Sequence, residues 1–209
     1  MIGPAVAAGQ RRSAAGAVRG ARAAARRGLA PVLEPFLWTR AAVWVLALFA
    51  FLWFEPRVHP GVRAWDDPSV TRDLGYGLDV WARWDSVWFL RLAEHGYRSA
   101  TDGSAAFFPL YPATVGLLGR VLGGHYVLAG VLVSLACALG AAALLHRMAL
   151  LKLGGDEGAA RRAVLYLLVF PMAVFLQAVY SESLFLLLCV GAFWLAERKR
   201  FPAAGVVAG

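Results

Sequence analysis

Residues 127–151 read VLAGVLVSLACALGAAALLHRMALL, a run that is apolar throughout rather than on one side. Its length suffices to cross a hydrocarbon core that needs about 20 residues. Three further apolar runs, Leu37–Phe54, Ala163–Val179 and Leu184–Ala196, punctuate the chain. The last two are short for a span, and flanking residues or local bilayer thinning would complete them. Whole-chain composition agrees. The 209 residues are 60% hydrophobic and 16% charged, against about 45–50% and about 25% in soluble domains. The expectation is an all-α, multi-pass membrane protein.

A net charge of +8 invites a nucleic-acid reading, but its distribution argues against one. Arg11, Arg12, Arg19, Arg22, Arg26 and Arg27 lie in an Ala/Gly-rich head with no acidic residue before Glu34. Such a segment buries too little apolar surface to fold alone, so residues 1–36 are expected to form a disordered cytoplasmic tail. It would touch anionic lipid headgroups or set topology. A cleaved signal peptide does not fit, because the first apolar run starts late and has full span length.

With that tail in the cytoplasm, the first span exits after Phe54 and residues 55–106 form a large external loop. The second returns, which puts Arg147, Lys152, Arg161 and Arg162 inside. The third exits to an external turn, Tyr180-Ser181-Glu182-Ser183, and the fourth brings Glu197-Arg198-Lys199-Arg200 back inside. This arrangement obeys the positive-inside rule. Phe107–Leu122 would break it as a full span, so it is expected to be re-entrant or interfacial, bent by Pro109 and Pro112. The final run, Phe201–Gly209, starts like another span and stops short. The sequence therefore reads as the N-terminal part of a longer protein, or as a product without its C-terminal half.

The external loop carries the polar chemistry. Taken as a helix, Trp81–His95 places Trp81, Trp84, Asp85, Trp88, Phe89, Leu92 and His95 on one face, with Arg83 and Glu94 opposite. A tryptophan-rich face belongs in the membrane interface. Asp85 lies inside that stripe, where a carboxylate is costly unless it pairs or reacts. It can cap a helix or pair with Arg83, Arg91 or Arg98. Alternatively, partial desolvation lets it take a proton from an attacking hydroxyl, with Arg91 or His95 stabilising a departing phosphate. Spacing does not decide between these readings.

Other signals are weaker. Cys137 and Cys189 lie within apolar runs and read as packing residues. No zinc spacing and no phosphate-binding glycine loop occurs, and no metal or cofactor is expected. Asp66, Asp67 and Asp73 read as a solvated loop before they read as a cation site. Gly123-Gly124 reads as a turn that leaves His125 at the external interface. A transporter would place ionisable groups near the midplane. Here they collect outside, apart from Arg40 and Gln177 near span ends. A non-catalytic membrane subunit remains the competing class.

Four ordered blocks, RWDSVWFLRLAEHGY, AFFPLYP, GGHYVLAG and FPMAVFLQAVYSESLF, resemble the PIG-V family of mannosyltransferases over roughly Leu37–Gly209. The resemblance implies a GT-C-type helical bundle whose first external loop carries an acidic catalytic residue. It also implies inverting transfer of mannose from a polyprenyl-phosphate (dolichyl-phosphate-type) donor to a lipid or glycan hydroxyl. The family's Trp-Asp pair matches Trp84-Asp85, making Asp85 the implied general base. His95-Gly96-Tyr97, Phe107-Phe108-Pro109 with Tyr111, and Tyr180-Ser181-Glu182-Ser183 match further elements. Arg91, His95, Tyr97, Phe108, Pro109, Tyr111, Tyr180 and Glu182 join Trp84 as expected substrate-binding residues. Glu182 equally reads as the acidic first turn of a helix. A related enzyme using another lipid-linked sugar would read the same way. The Ala/Gly/Arg-rich composition fits a bacterial plasma membrane; a eukaryotic source would place the protein in the endoplasmic reticulum membrane.

Overall fold

The computed structural model describes residues 29–54, 68–97 and 103–209. The Arg-rich head before Leu29 lies outside them, as do Asp66, Asp67, Arg98 and the corresponding parts of the external loop. Among the described residues every regular element is helical. In chain order these are α1 (Ala30–Trp53), α2 (Pro68–Thr71), α3 (Tyr76–Asp79), α4 (Ser86–His95), α5 (Leu110–Val121), α6 (Tyr126–Lys152), α7 (Glu157–Val169), α8 (Glu182–Glu197) and α9 (Phe201–Ala208). Short 3₁₀ turns cover Ser104–Ala106 and Pro171–Leu176.

Two of these helices, α1 and α6, are long and apolar enough to cross a membrane. They differ in surroundings: the apolar window of α1 is 11% buried and that of α6 is 50% buried. The other apolar runs form shorter pieces. The expected span Ala163–Val179 is broken, because α7 stops at Val169 and the chain turns into Pro171–Leu176. Pro171 has no N–H to continue the ladder and drives the preceding residue out of the helical region. Phe170 accordingly adopts φ −57°, ψ 138°. The fourth run becomes α8 with 16 residues, about 24 Å long at 1.5 Å per residue. The segment expected to be interfacial forms the 12-residue α5, far below span length. Its prolines start the helix rather than bend it. Pro109 occupies the N-cap position and Pro112 lies in the first turn, where a missing N–H costs nothing. α1 begins at Ala30, ahead of the apolar run and inside the stretch expected to be tail.

The chain divides into two compact units. Residues 40–138 and 171–188 make one, and the remainder makes the other. The second unit holds the basic ends. Asp156 caps α7 by accepting from the Ala159 N–H at 2.9 Å. His146, 4% exposed, lies 3.1 Å from the Glu157 carboxylate. Lys152–Glu197 and Arg161–Glu34 are exposed ion pairs, a class worth only about 0–1 kcal/mol each.

The first unit holds α2 to α5 and its own core: Trp81, Val87, Phe89, Leu90, Tyr111, Val115, Val127, Val131 and Val179. On α5, Tyr111, Pro112, Val115, Gly116 and Gly119 are buried, the i, i+4, i+8 stripe of a helix lying on its neighbours. Small residues permit the approach. A Cβ on Gly116 would sit 2.5 Å from the Ala93 carbonyl oxygen of α4. One on Gly130 would meet a Val179 methyl at 2.6 Å.

Candidate active site

The site grows from the turn that joins α3 to α4. Helix α4 begins only at Ser86, so Trp81–Asp85 is not the helical stretch its spacing predicts. Two contacts and near-complete burial fasten the turn at Trp81. Its ring meets Trp44 edge-on with centroids 5.7 Å apart, its carbonyl accepts from the Val179 N–H at 3.0 Å, and the side chain is 3% exposed. Trp84 then adopts φ +51°, a left-handed conformation that costs a non-glycine residue about 1–2 kcal/mol. Strain of this kind persists where surrounding structure over-determines it, and it gathers at functional sites. The Trp84 indole is 59% exposed and its ring lies 6.4 Å from Phe175.

Asp85 follows in the N-cap position of α4 but makes no side-chain capping bond. Among the described residues its carboxylate has no ion-pair or hydrogen-bond partner. Its backbone N–H instead donates to the Tyr180 hydroxyl at 3.0 Å. Tyr180 is 6% exposed and packs against Phe175 and Phe89 at 5.0 and 6.0 Å between centroids. Burial first, and the Asp85 and Glu182 charges after it, push the Tyr180 phenol up to about 12, while the bond from Asp85 works the other way. Tyr180 therefore stays protonated. Its hydroxyl proton has no acceptor among the described residues, which leaves it available to a ligand.

Glu182 is the first residue of α8. Desolvation raises its carboxyl above the usual range, and the neighbouring Asp85 charge adds to the rise. Two carboxylates that feel each other thus lie near Tyr180, whose ring packs on Phe175, which in turn meets Trp84. Flat aromatic faces beside a few fixed polar groups suit a ligand with an apolar face and a polar rim, which describes a sugar ring.

The remaining expected residues separate from this cluster. Arg91 stacks on Trp88 at 5.8 Å, and His95 is exposed, 3.9 Å from Glu94. Tyr97 donates its hydroxyl to the Phe107 carbonyl at 2.5 Å, and burial raises its phenol. Phe108 is 77% exposed and Pro109 caps α5. Tyr111 is a core residue, 1% exposed, donating to the Gly130 carbonyl at 3.2 Å and paired with Ser134 at 2.8 Å. Phe89, not His95, continues the aromatic stripe inward. The Arg83 guanidinium lies 5.5 Å over Phe51 of α1.

Asp73 has a different role from the solvated one its loop suggests. Its carboxylate engages His125 Nδ1 and accepts from the Leu128 N–H at 3.2 Å, while its own N–H donates to Asp79 at 2.9 Å. These bonds tie the loop after α2 to the start of α6. No group of three or more His, Cys, Asp or Glu side chains among the described residues is placed to hold a metal ion.

The sequence profile of mannosyltransferase (PIG-V) matches residues 69–207. The chain belongs to the PIG-V mannosyltransferase family. The match leaves α1 outside, although the resemblance extends over Leu37–Gly209. "GPI alpha-1,6-mannosyltransferase 2" of Cricetulus griseus is 37% identical over 60% of this chain and 27% of its own length. The Mus musculus protein of that name is 36% identical over 73% of this chain and 31% of its own. "GPI mannosyltransferase 2" of Yarrowia lipolytica is 32% identical over 60% and 34% respectively. The PIG-V chain described here thus spans between a quarter and about a third of these curated relatives. No solved structure matches it.

Proposed function

We propose that this PIG-V family chain carries the base-bearing part of an integral-membrane, GT-C-type mannosyltransferase. The reaction takes mannose from a polyprenyl-phosphate donor to a hydroxyl of a lipid or glycan acceptor on the external face. The observation that carries this reading is the Asp85 carboxylate, unpartnered among the described residues and held on a strained turn by Tyr180. Such a group is free to accept a proton. In a single displacement the acceptor oxygen attacks the anomeric carbon while Asp85 takes its proton. The bond from that carbon to the donor phosphate oxygen breaks, and the phosphate leaves with the electron pair. Attack opposite the leaving group inverts the anomeric centre. The aromatic faces of Trp84 and Phe175 would hold the sugar. Tyr180 would keep the Asp85 backbone in register, an orientation effect on which near-attack geometry depends.

Two span-length apolar helices support a site at a membrane surface, the plasma membrane for a bacterial protein and the endoplasmic reticulum membrane for a eukaryotic one. Membranes containing the protein, supplied with radiolabelled polyprenyl-phosphate mannose, test the assignment. Asp85→Asn should lower turnover by about 10²–10⁴-fold, the usual contribution of a positioned base. Near-wild-type turnover by that variant would sink it.

A further inference from the structure

Buried polar atoms are almost always hydrogen-bonded, so each exception asks for an explanation. Gln177 is fully buried, yet neither its amide nitrogen nor its carbonyl oxygen has a partner among the described residues. The indole nitrogen of Trp81, at 3% exposure, has none either. These side chains sit on adjoining backbone, since the Val179 N–H, two residues beyond Gln177, donates to the Trp81 carbonyl. The same segment is tied to α1, where the buried Arg40 donates to the Ala173 carbonyl at 2.7 Å. The Gln177 N–H folds back to Val174. The backbone that carries the Gln177 carboxamide is thus bonded to the residue that carries the indole N–H and to the Arg40 guanidinium, and it runs on into Tyr180 and Glu182.

The chemistry of the carboxamide narrows what would satisfy it. It offers a donor and an acceptor side by side. A phosphate only accepts and would leave the Gln177 carbonyl unmet; a metal cation would leave the amide nitrogen unmet. Neighbouring hydroxyls on a sugar ring answer both. We propose that Gln177 reads a pair of adjacent ring hydroxyls on the sugar of the lipid-linked donor. In this arrangement Trp81 Nε1 is a second donor to the same sugar. This rests on the glycosyl-transfer reading and adds to it the residue that discriminates among sugars. Selectivity follows because a sugar without one of those hydroxyls leaves a buried amide group unpaired.

The test uses the full chain in membranes and a series of polyprenyl-phosphate mannose donors, each lacking one ring hydroxyl. Wild-type protein should disfavour at least one deoxy donor by roughly 10²-fold or more in kcat/KM, with about 10⁴-fold the reach of a site built to bond a hydroxyl. Gln177→Leu should slow transfer from the intact donor and bring that ratio within roughly tenfold of unity. Because leucine removes unpaired polar atoms at similar volume, the variant should melt no lower than wild type. Gln177→Met serves as a second probe if leucine fails to fold. A Gln177→Leu protein that keeps wild-type discrimination, or loses rate equally on every donor, overturns the assignment. Absence of any mannose transfer by the wild-type chain is a separate result: it removes the glycosyl-transfer reading and this one with it.

Discussion

Asp85 draws its character from the two residues that hold it. Trp84 pays for a left-handed backbone, and the Tyr180 hydroxyl takes the Asp85 N–H that a regular helix start would have turned elsewhere. Tyr180→Phe removes that acceptor while keeping the ring stacked on Phe175 and Phe89. A lost hydrogen bond is worth about 1 kcal/mol, so kcat should fall roughly five- to tenfold with KM nearly unchanged. Steady-state kinetics against donor concentration would read the split, and a rise in KM alone would assign Tyr180 to binding. The sequence draws attention to Asp85 because a carboxylate among tryptophans is costly. Its bond to Tyr180 was not legible there, because 95 residues separate the partners and no local pattern encodes such a meeting. Tyr111 is the reverse case. A tyrosine in a matched block reads as a ligand contact, yet its hydroxyl is consumed inside the core by Gly130 and Ser134.

At the scale of elements, the α4–α5 pair sets the height of the turn that carries Asp85. The pair meets where Gly116 faces the backbone of Ala93, with no room for a methyl group. Gly116→Ala forces the helices apart, and overpacking of this kind costs about 1–3 kcal/mol. Its melting temperature should drop. Gly191→Ala is the matched control. Its added carbon would find its nearest neighbours, Val207 and Leu144, at 3.7 and 3.9 Å, and alanine is the better helix former by about 1 kcal/mol. That variant should melt at or above wild type, and equal losses for both would contradict the packing assigned to Gly116. Helix existence was readable from the apolar runs, and the break before Pro171 was written plainly in a proline. The run of hydrophobic residues across it still masked the break, since hydropathy has no term for a missing N–H.

Across the whole molecule, α1 states the membrane case most directly. Trp38, Val45, Leu46, Phe49 and Leu52 are 54–76% exposed, a surface that water would not tolerate on so long a helix and lipid would. Nitroxide labels at residues 45 and 49 in reconstituted vesicles should relax with dissolved oxygen and resist a water-soluble nickel reagent. The reverse accessibility would remove α1 from the bilayer. Composition and the long apolar runs by themselves determined that the chain is helical and suited to lipid, because burial in hydrocarbon demands runs that sequence displays openly. Residue identity also marked Asp85. Only the tertiary structure decided which polar groups meet. Tyr180 reaches Asp85, Asp73 reaches His125, and Gln177 is left buried and unmatched, because each outcome depends on contacts between segments distant along the chain. Hydropathy and spacing describe neighbours in sequence, while hydrogen bonds are satisfied or orphaned by neighbours in space.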